Sequence, residues 1–185
     1  MIYSDSICNL MSKWQLNKMA TDAGEHCQIN KKPFIGATSE DLSTYHMLPT
    51  LRKNTPDEVI VHAGINDVMQ LAGRDGSMTS EVIDIVANNI IQCGKVARAN
   101  GVNHVCISGM TPRRGKIYQQ TISHVNYRVE NLCKGEGFNF INNTNIPYIQ
   151  PTAVDEGLHF KDGLHLNVAG RNILMENFIS YLGTH

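Results

Sequence analysis

Short apolar runs alternate with longer amphipathic stretches along this whole chain, and no other feature of the sequence restricts the fold so strongly. The clearest short run is Glu58–His62, EVIVH, with the length and β-branched content of a strand buried on both faces. Weaker strand candidates are the stub Met1–Ser4, then His26–Asn30, Val102–Ser108 and Phe138–Asn142. The longer stretches read as helices. In Thr79–Asn100 the residues Val82, Val86, Ile90 and Ala97 share one face, and Gly101 stands where a helix stops. Ser6–Ala20, Ser39–Leu51 and Gln119–Lys134 fill other gaps, with Ser39 able to cap its helix, and Asn167 opens a last helix that runs to about Leu182. This alternation predicts an α/β fold, a parallel sheet covered by helices on both faces, with its site at the carboxyl ends of the strands. No repeat, low-complexity run or linker divides the chain, so residues 1–185 read as one domain. Asn142–Lys161 reads as a long irregular loop, a place where function concentrates.

A chain of 185 residues is long enough for a sizeable core, and 42% hydrophobic with 18% charged residues is a globular balance. The net charge of −1 gives no basis for a nucleic-acid or acidic-membrane partner. No apolar run is long enough to span a membrane as a helix. The first strand begins at Met1 with no leader before it; a native start and a domain boundary both fit. The five cysteines, Cys8, Cys27, Cys93, Cys106 and Cys133, are odd in number and never spaced CxxC. They read as small buried thiols in a reducing compartment, with neither a disulfide framework nor a zinc site expected.

Four short blocks carry chemistry. Ser4-Asp5-Ser6-Ile7 lies between the first strand and the first helix, where a hydroxyl is exposed and backbone N–H groups favour negative charge; alone it reads as a helix cap. Ile35-Gly36-Ala37-Thr38 offers a glycine N–H to a ligand, or is a plain turn. Gly64-Ile65-Asn66-Asp67 follows the strongest strand. Its asparagine amide suits a developing oxyanion, and its composition equally suits a turn. Asp162-Gly163-Leu164-His165 precedes the cap of the last helix, and a carboxylate there can orient the imidazole. Glu156-Gly157-Leu158-His159 repeats the same spacing; the nearby cap Asn167 favours the later pair.

In this order the blocks resemble those of the SGNH (GDSL-like) hydrolases: a GDS-type serine, a lone glycine, a GxND and a C-terminal DxxH. The resemblance covers nearly the whole chain. It implies a flavodoxin-like, three-layer αβα sandwich of about five parallel strands, and a serine esterase. It implies Ser6 as nucleophile, Asp162 and His165 completing the triad, and an oxyanion hole of the Ser6 N–H, the Gly36 N–H and the Asn66 amide. No metal or organic cofactor is implied, and the partner is a small-molecule ester. Ser4 departs from the family's glycine at a tight-packing position. Gly36-Ala37-Thr38 together with Asp162–Asn167 also resembles the esterase domains of some LINE retrotransposon proteins.

The minimal length leaves no lid, which points to short acyl groups, such as acetyl esters of sugars or lipids. Two rivals stay open: an accessory or non-catalytic module of a larger polypeptide such as a retrotransposon protein, and a flavodoxin-like nucleotide or flavin binder, against which the absence of GxGxxG and of a phosphate-cradling glycine-rich loop counts. Arg113 and Arg114 follow the fourth strand at the expected site rim, as loop residues or anion contacts. His62 reads as a core histidine and Asp67 as a brace of the Asn66 turn. Met11, Trp14 and Met19 read as core packing.

Overall fold

A computed structural model describes residues 1–73, 77–150 and 153–184. Five parallel strands form one sheet: β1 (Ile2–Ser4), β2 (Lys31–Pro33), β3 (Glu58–His62), β4 (His104–Ser108) and β5 (Asn139–Ile141), in the order β2-β1-β3-β4-β5. The order reverses between β1 and β3, the position where flavodoxin-like sheets open a crevice. The helices are α1 (Lys13–Asp22), α2 (Ser39–Asp41), α3 (Met47–Lys53), α4 (Ile65–Leu71), α5 (Ser80–Ala99), α6 (Lys116–Glu136) and α7 (Val168–Leu182). α1 packs on α7, while α5 packs on α2, α3 and α6. The sheet lies between these two layers, so the fold is the three-layer αβα sandwich expected. Val59, Ile60 and Val61 of β3 are at most 1% exposed, as a central strand covered on both faces requires.

Several elements differ from the sequence reading for local reasons. The first helix is interrupted: Asp5 caps a single 3-10 turn, Ser6–Cys8, and Ser12 caps α1 separately by accepting the Gln15 N–H at 3.3 Å. Trp14 therefore lies on the far side of α1 from the buried Leu16 and Ala20 and is 73% exposed, not core. Met11 is buried and Met19 partly so. β2 falls five residues later than His26–Asn30, pairing Ile2 with Lys31 and Ser4 with Pro33. It is an edge strand, where lysine and proline are tolerated.

The cap of α2 is Thr38 rather than Ser39. Thr38 Oγ1 accepts the Asp41 N–H at 3.1 Å and Asp41 accepts the Thr38 N–H at 3.0 Å, a reciprocal capping box. The stretch expected to be irregular holds a short antiparallel pair, β6 (Tyr148–Gln150) with β7 (Ala153–Val154). Cys8, Cys93, Cys106 and Cys133 are buried free thiols, whereas Cys27 is exposed. No helix among the described residues is long and apolar enough to cross a membrane.

Candidate active site

At the end of β1 the chain turns at once. Asp5 Oδ1 accepts the Ile7 N–H at 3.0 Å and holds the turn that presents Ser6, half-buried, at the carboxyl edge of the sheet. Three residues of 3-10 turn carry little of the dipole expected from a full helix, so any help to negative charge comes from individual N–H groups. Ser4 fits the crowded position where a glycine was expected, fully buried, with its Oγ donating to the Asp5 carbonyl at 3.0 Å. Asp5 is 1% exposed. Burial pushes its carboxyl up to about 7; the Ile7 hydrogen bond pulls the other way, and the Asp67 charge adds to the rise.

The second and third blocks are fastened to each other. Gly36 has φ +79°, left-handed backbone that favours glycine. Gly64, between β3 and α4, has φ +116°, and a Cβ there would lie 2.7 Å from Ile90 Cδ1. Asn66 Nδ2 donates to the Ala37 carbonyl at 2.9 Å, which uses one amide hydrogen and leaves the other. Asp67 accepts the Ser39 N–H at 2.9 Å and the Ser39 hydroxyl as well. It braces α2 across to α4 rather than the Asn66 turn alone. Burial raises the Asp67 carboxyl, with the Ser39 bonds opposing.

The fourth block lies over Ser6. Asp162 Oδ1 accepts the Leu164 N–H at 2.9 Å and the His165 N–H at 3.0 Å, while Oδ2 is 2.8 Å from His165 Nδ1. His165 Nε2 is 3.2 Å from Ser6 Oγ. Partial burial works to raise the Asp162 carboxyl, but the bonds from Leu164 and His165 together outweigh it and hold the group below the usual carboxylate range. The segment folds back on itself: the Phe160 N–H donates to the His165 carbonyl at 2.8 Å, and the Asn167 N–H to the Leu158 carbonyl at 2.9 Å. Asn167 Oδ1 caps α7 through the Gly170 N–H at 3.2 Å, and its Nδ2 donates to the Gly157 carbonyl at 2.8 Å.

The loop after β4 grips this hairpin. The Arg114 N–H donates to the Gly163 carbonyl at 2.7 Å, and Arg114 Nη1 to the Lys161 carbonyl at 3.2 Å. The guanidinium reaches Glu156 at 3.5 Å. His159, 4% exposed, has Nε2 3.2 Å from the Pro112 carbonyl and Nδ1 3.0 Å from the Asp155 carbonyl. Of the two similar segments, only Asp162 and His165 are thus brought to Ser6; Glu156 and His159 tie the hairpin down. Arg114 is a brace here. Arg113 stacks on Tyr118 at 3.8 Å from the ring centroid and is not among the residues around Ser6. His62 is a core histidine, with Nδ1 2.9 Å from Ser108 Oγ, and burial lowers it to about 4, so it is neutral.

A cleft of about 310 Å³ opens over Ser6, Asp162 and His165, rimmed by Leu10, Ile35 and Phe160, each well exposed. Ile35 opens the second block, but Leu10 and Phe160 escaped the sequence reading, because exposure of an apolar side chain is set by tertiary placement and leaves no mark in a hydrophobic pattern. Among the described residues no group of three or more His, Cys, Asp or Glu side chains is placed to share a metal ion.

Solved structures share this fold at low identity. A GDSL-like lipase from Bacteroides thetaiotaomicron superposes with a TM-score of 0.71 at 20% identity, covering 98% of this chain and 86% of the other. A catalytic mutant of an acetylxylan esterase from Geobacillus stearothermophilus gives 0.73 at 16% identity, covering 100% and 93%. A lipase/acylhydrolase from Enterococcus faecalis gives 0.67 at 17% identity, covering 98% and 94%. No curated protein matches. The sequence matches the GDSL-like Lipase/Acylhydrolase family over residues 15–178, a span that holds Gly36, Asn66, Asp162 and His165 and begins after Ser6. Most of the chain lies within that match, and the chain belongs to the GDSL-like lipase/acylhydrolase family, a family of carboxylic ester hydrolases.

Proposed function

We propose that this chain, as a single domain, is a serine esterase that cleaves short-chain carboxylic esters through an acyl-enzyme. The observation that carries the reading is the unbroken line from Asp162 Oδ2 through His165, at 2.8 Å and 3.2 Å, to Ser6 Oγ. In that line the His165 Nδ1–H donates to Asp162, which leaves Nε2 to accept the Ser6 hydroxyl proton. Ser6 Oγ then bonds to the ester carbonyl carbon, and the resulting oxyanion accepts from the Ser6 N–H, the Gly36 N–H and the Asn66 amide hydrogen not taken by Ala37. His165 returns the proton to the departing alcohol, and a water activated the same way releases the acid. No metal or organic cofactor takes part in these steps.

The open cleft of about 310 Å³ supports small acyl groups, with acetyl esters of carbohydrates or lipids as the substrate class. An acetylxylan esterase among the structures of the same fold is consistent with the carbohydrate side of that class. The test is a fluorophosphonate probe followed by peptide mass spectrometry, run beside a panel of p-nitrophenyl esters of rising chain length and the Ser6→Ala variant. Labelling at Ser6, with activity highest on the shortest esters and lost in Ser6→Ala, is expected. Labelling at Ser4, or activity that survives Ser6→Ala, overturns it.

A further inference from the structure

A second cleft, about 450 Å³, lies between α6 and the loop after β5, and its residues are distinct from those around Ser6. Its volume is in the range of small-ligand sites. We propose that this cleft binds a neutral oligosaccharide, the saccharide part of the ester substrate beyond the acylated sugar. The proposal rests on the esterase reading only for that last clause; binding itself requires no chemistry at Ser6.

Tyr127 marks the cleft. It stands in the middle of α6 yet is 69% exposed, so its ring contributes little to the core. An aromatic face is electron-rich and suits the C–H face of a pyranose ring, while a two-torsion side chain loses little entropy on binding. The walls behind it are fixed. Asn126 Oδ1 accepts the Met110 N–H and its Nδ2 donates to the Met110 carbonyl, both at 2.9 Å. Asn143 Nδ2 donates to Ser108 Oγ at 2.9 Å, and Asn143 Oδ1 accepts from Asn177 at 2.8 Å. These amides hold shape and have little left to offer.

Other polar groups are uncommitted. Ser123, Asn142 and Thr144 line the cleft, are exposed, and their side chains make no hydrogen bond to the described residues. They supply hydroxyl and amide groups that both donate and accept, the complement of a sugar hydroxyl. Charge selects further. Among the described lining residues there is no Lys, Arg or His, so an anionic ligand finds no counter-charge. The single carboxylate, Glu130, lies 3.1 Å from Lys134, which disfavours a cationic ligand. A purely apolar ligand would cover the free hydroxyls and amide without pairing them. What remains is uncharged and rich in hydroxyl groups. The cleft also borders the active-site hairpin: Pro112, on its wall, offers the carbonyl that His159 meets.

The experiment uses the full chain carrying Ser6→Ala, titrated with xylotetraose, mannotetraose, cellotetraose and tetraacetylchitotetraose while amide resonances are followed by NMR. At least one sugar should shift the resonances of residues 123–130 and 142–144, with a Kd on the order of a millimolar, the strength of a small exposed site. Adding Tyr127→Ala should weaken that binding about tenfold or more, Tyr127→Phe should keep most of it, and Asn142→Ala should weaken it independently. No shifts with any sugar, or shifts confined to Ser6 and Phe160 and indifferent to Tyr127→Ala, overturn the proposal. Wild-type hydrolysis of p-nitrophenyl acetate is measured in parallel. Hydrolysis without sugar binding overturns this proposal alone, and sugar binding without hydrolysis overturns the esterase reading and the clause that rests on it while leaving the binding site in place.

Discussion

Gly163 and Arg114 compete for one small space: a Cβ on Gly163 would lie 2.6 Å from the Arg114 Cβ, while the Arg114 N–H donates to the Gly163 carbonyl at 2.7 Å. Gly163 also has φ +64°, so a side chain there is strained twice over. Relief must come from moving the hairpin that carries Asp162 and His165. A shift of about 1 Å can cost roughly 10²-fold in rate. Gly163→Ala is therefore expected to lower kcat on p-nitrophenyl acetate by roughly 10- to 100-fold, with KM within about threefold. Steady-state kinetics check it, and a kcat within twofold of wild type would show that the hairpin absorbs the clash.

The two histidines of similar spacing should separate in a pair of measurements. His165→Ala should lose about as much activity as Ser6→Ala while leaving Tm nearly unchanged, because His165 is partly exposed. Asp162→Asn should lose somewhat less. His159→Ala removes a buried ring facing two carbonyls, so it should lower Tm by roughly 3–10 °C and kcat far less than His165→Ala. Thermal melts and one ester assay suffice. An inactive His159→Ala of unchanged Tm would move the base to the other segment.

Asn66→Ala is expected to reduce kcat by about 10²–10³ with little change in KM, the cost of removing one oxyanion donor. Because Asn66 also ties to Ala37, a modest fall in Tm should accompany it. A strong rise in KM at constant kcat would assign Asn66 to ground-state binding instead.

Stability should fall as pH rises across the window set by Asp5. Its carboxyl titrates near 7 when folded and at about 3.9 in an unfolded chain. Between those values the folded state keeps a proton that the unfolded state has lost, so the free energy of unfolding decreases from about pH 4 to about pH 7. Asp67, also raised, acts in the same direction. Asp5→Asn keeps an acceptor for the Ile7 N–H and removes the buried charge. It should raise Tm by several degrees at pH 8 and change it little at pH 4. Melts from pH 4 to 8 test this, and a wild-type Tm that climbs across the window would contradict it.

Much of the framework was legible because its signals are local. EVIVH could be little other than a buried strand, and the glycines at 64 and 101 stand where left-handed backbone is needed. β2 was displaced because Lys31-Lys32-Pro33 has no strand signature of its own; pairing with β1 alone makes it a strand. Ser39 looks like the cap, but its hydroxyl donates to Asp67, a contact distant in sequence, and Thr38 one residue earlier caps instead. α4 was hidden because its first turn is the block whose residues also spell a turn. In the site, the order of blocks indicated which residues should meet. The brace by Arg114 was not legible, since nothing in a pair of arginines says whether they will face a ligand or a carbonyl.

The ties that hold the Asp162–His165 hairpin end almost entirely on main-chain atoms: the carbonyls of Lys161, Gly163, Pro112 and Gly157. At Phe160 the N–H and carbonyl are both committed, to His165 and Gly163, while the ring forms part of the rim of the cleft and lies under the Arg171 guanidinium, 5.7 Å from its centroid. Substitutions at that position can reshape what the cleft admits while both main-chain bonds of residue 160 stay in place. The hairpin therefore divides its residues between two demands that usually conflict during divergence: Arg114, His159 and Asn167 reach main-chain carbonyls and keep the alignment whatever side chains those carbonyls belong to, and the rim residues are left to set substrate preference.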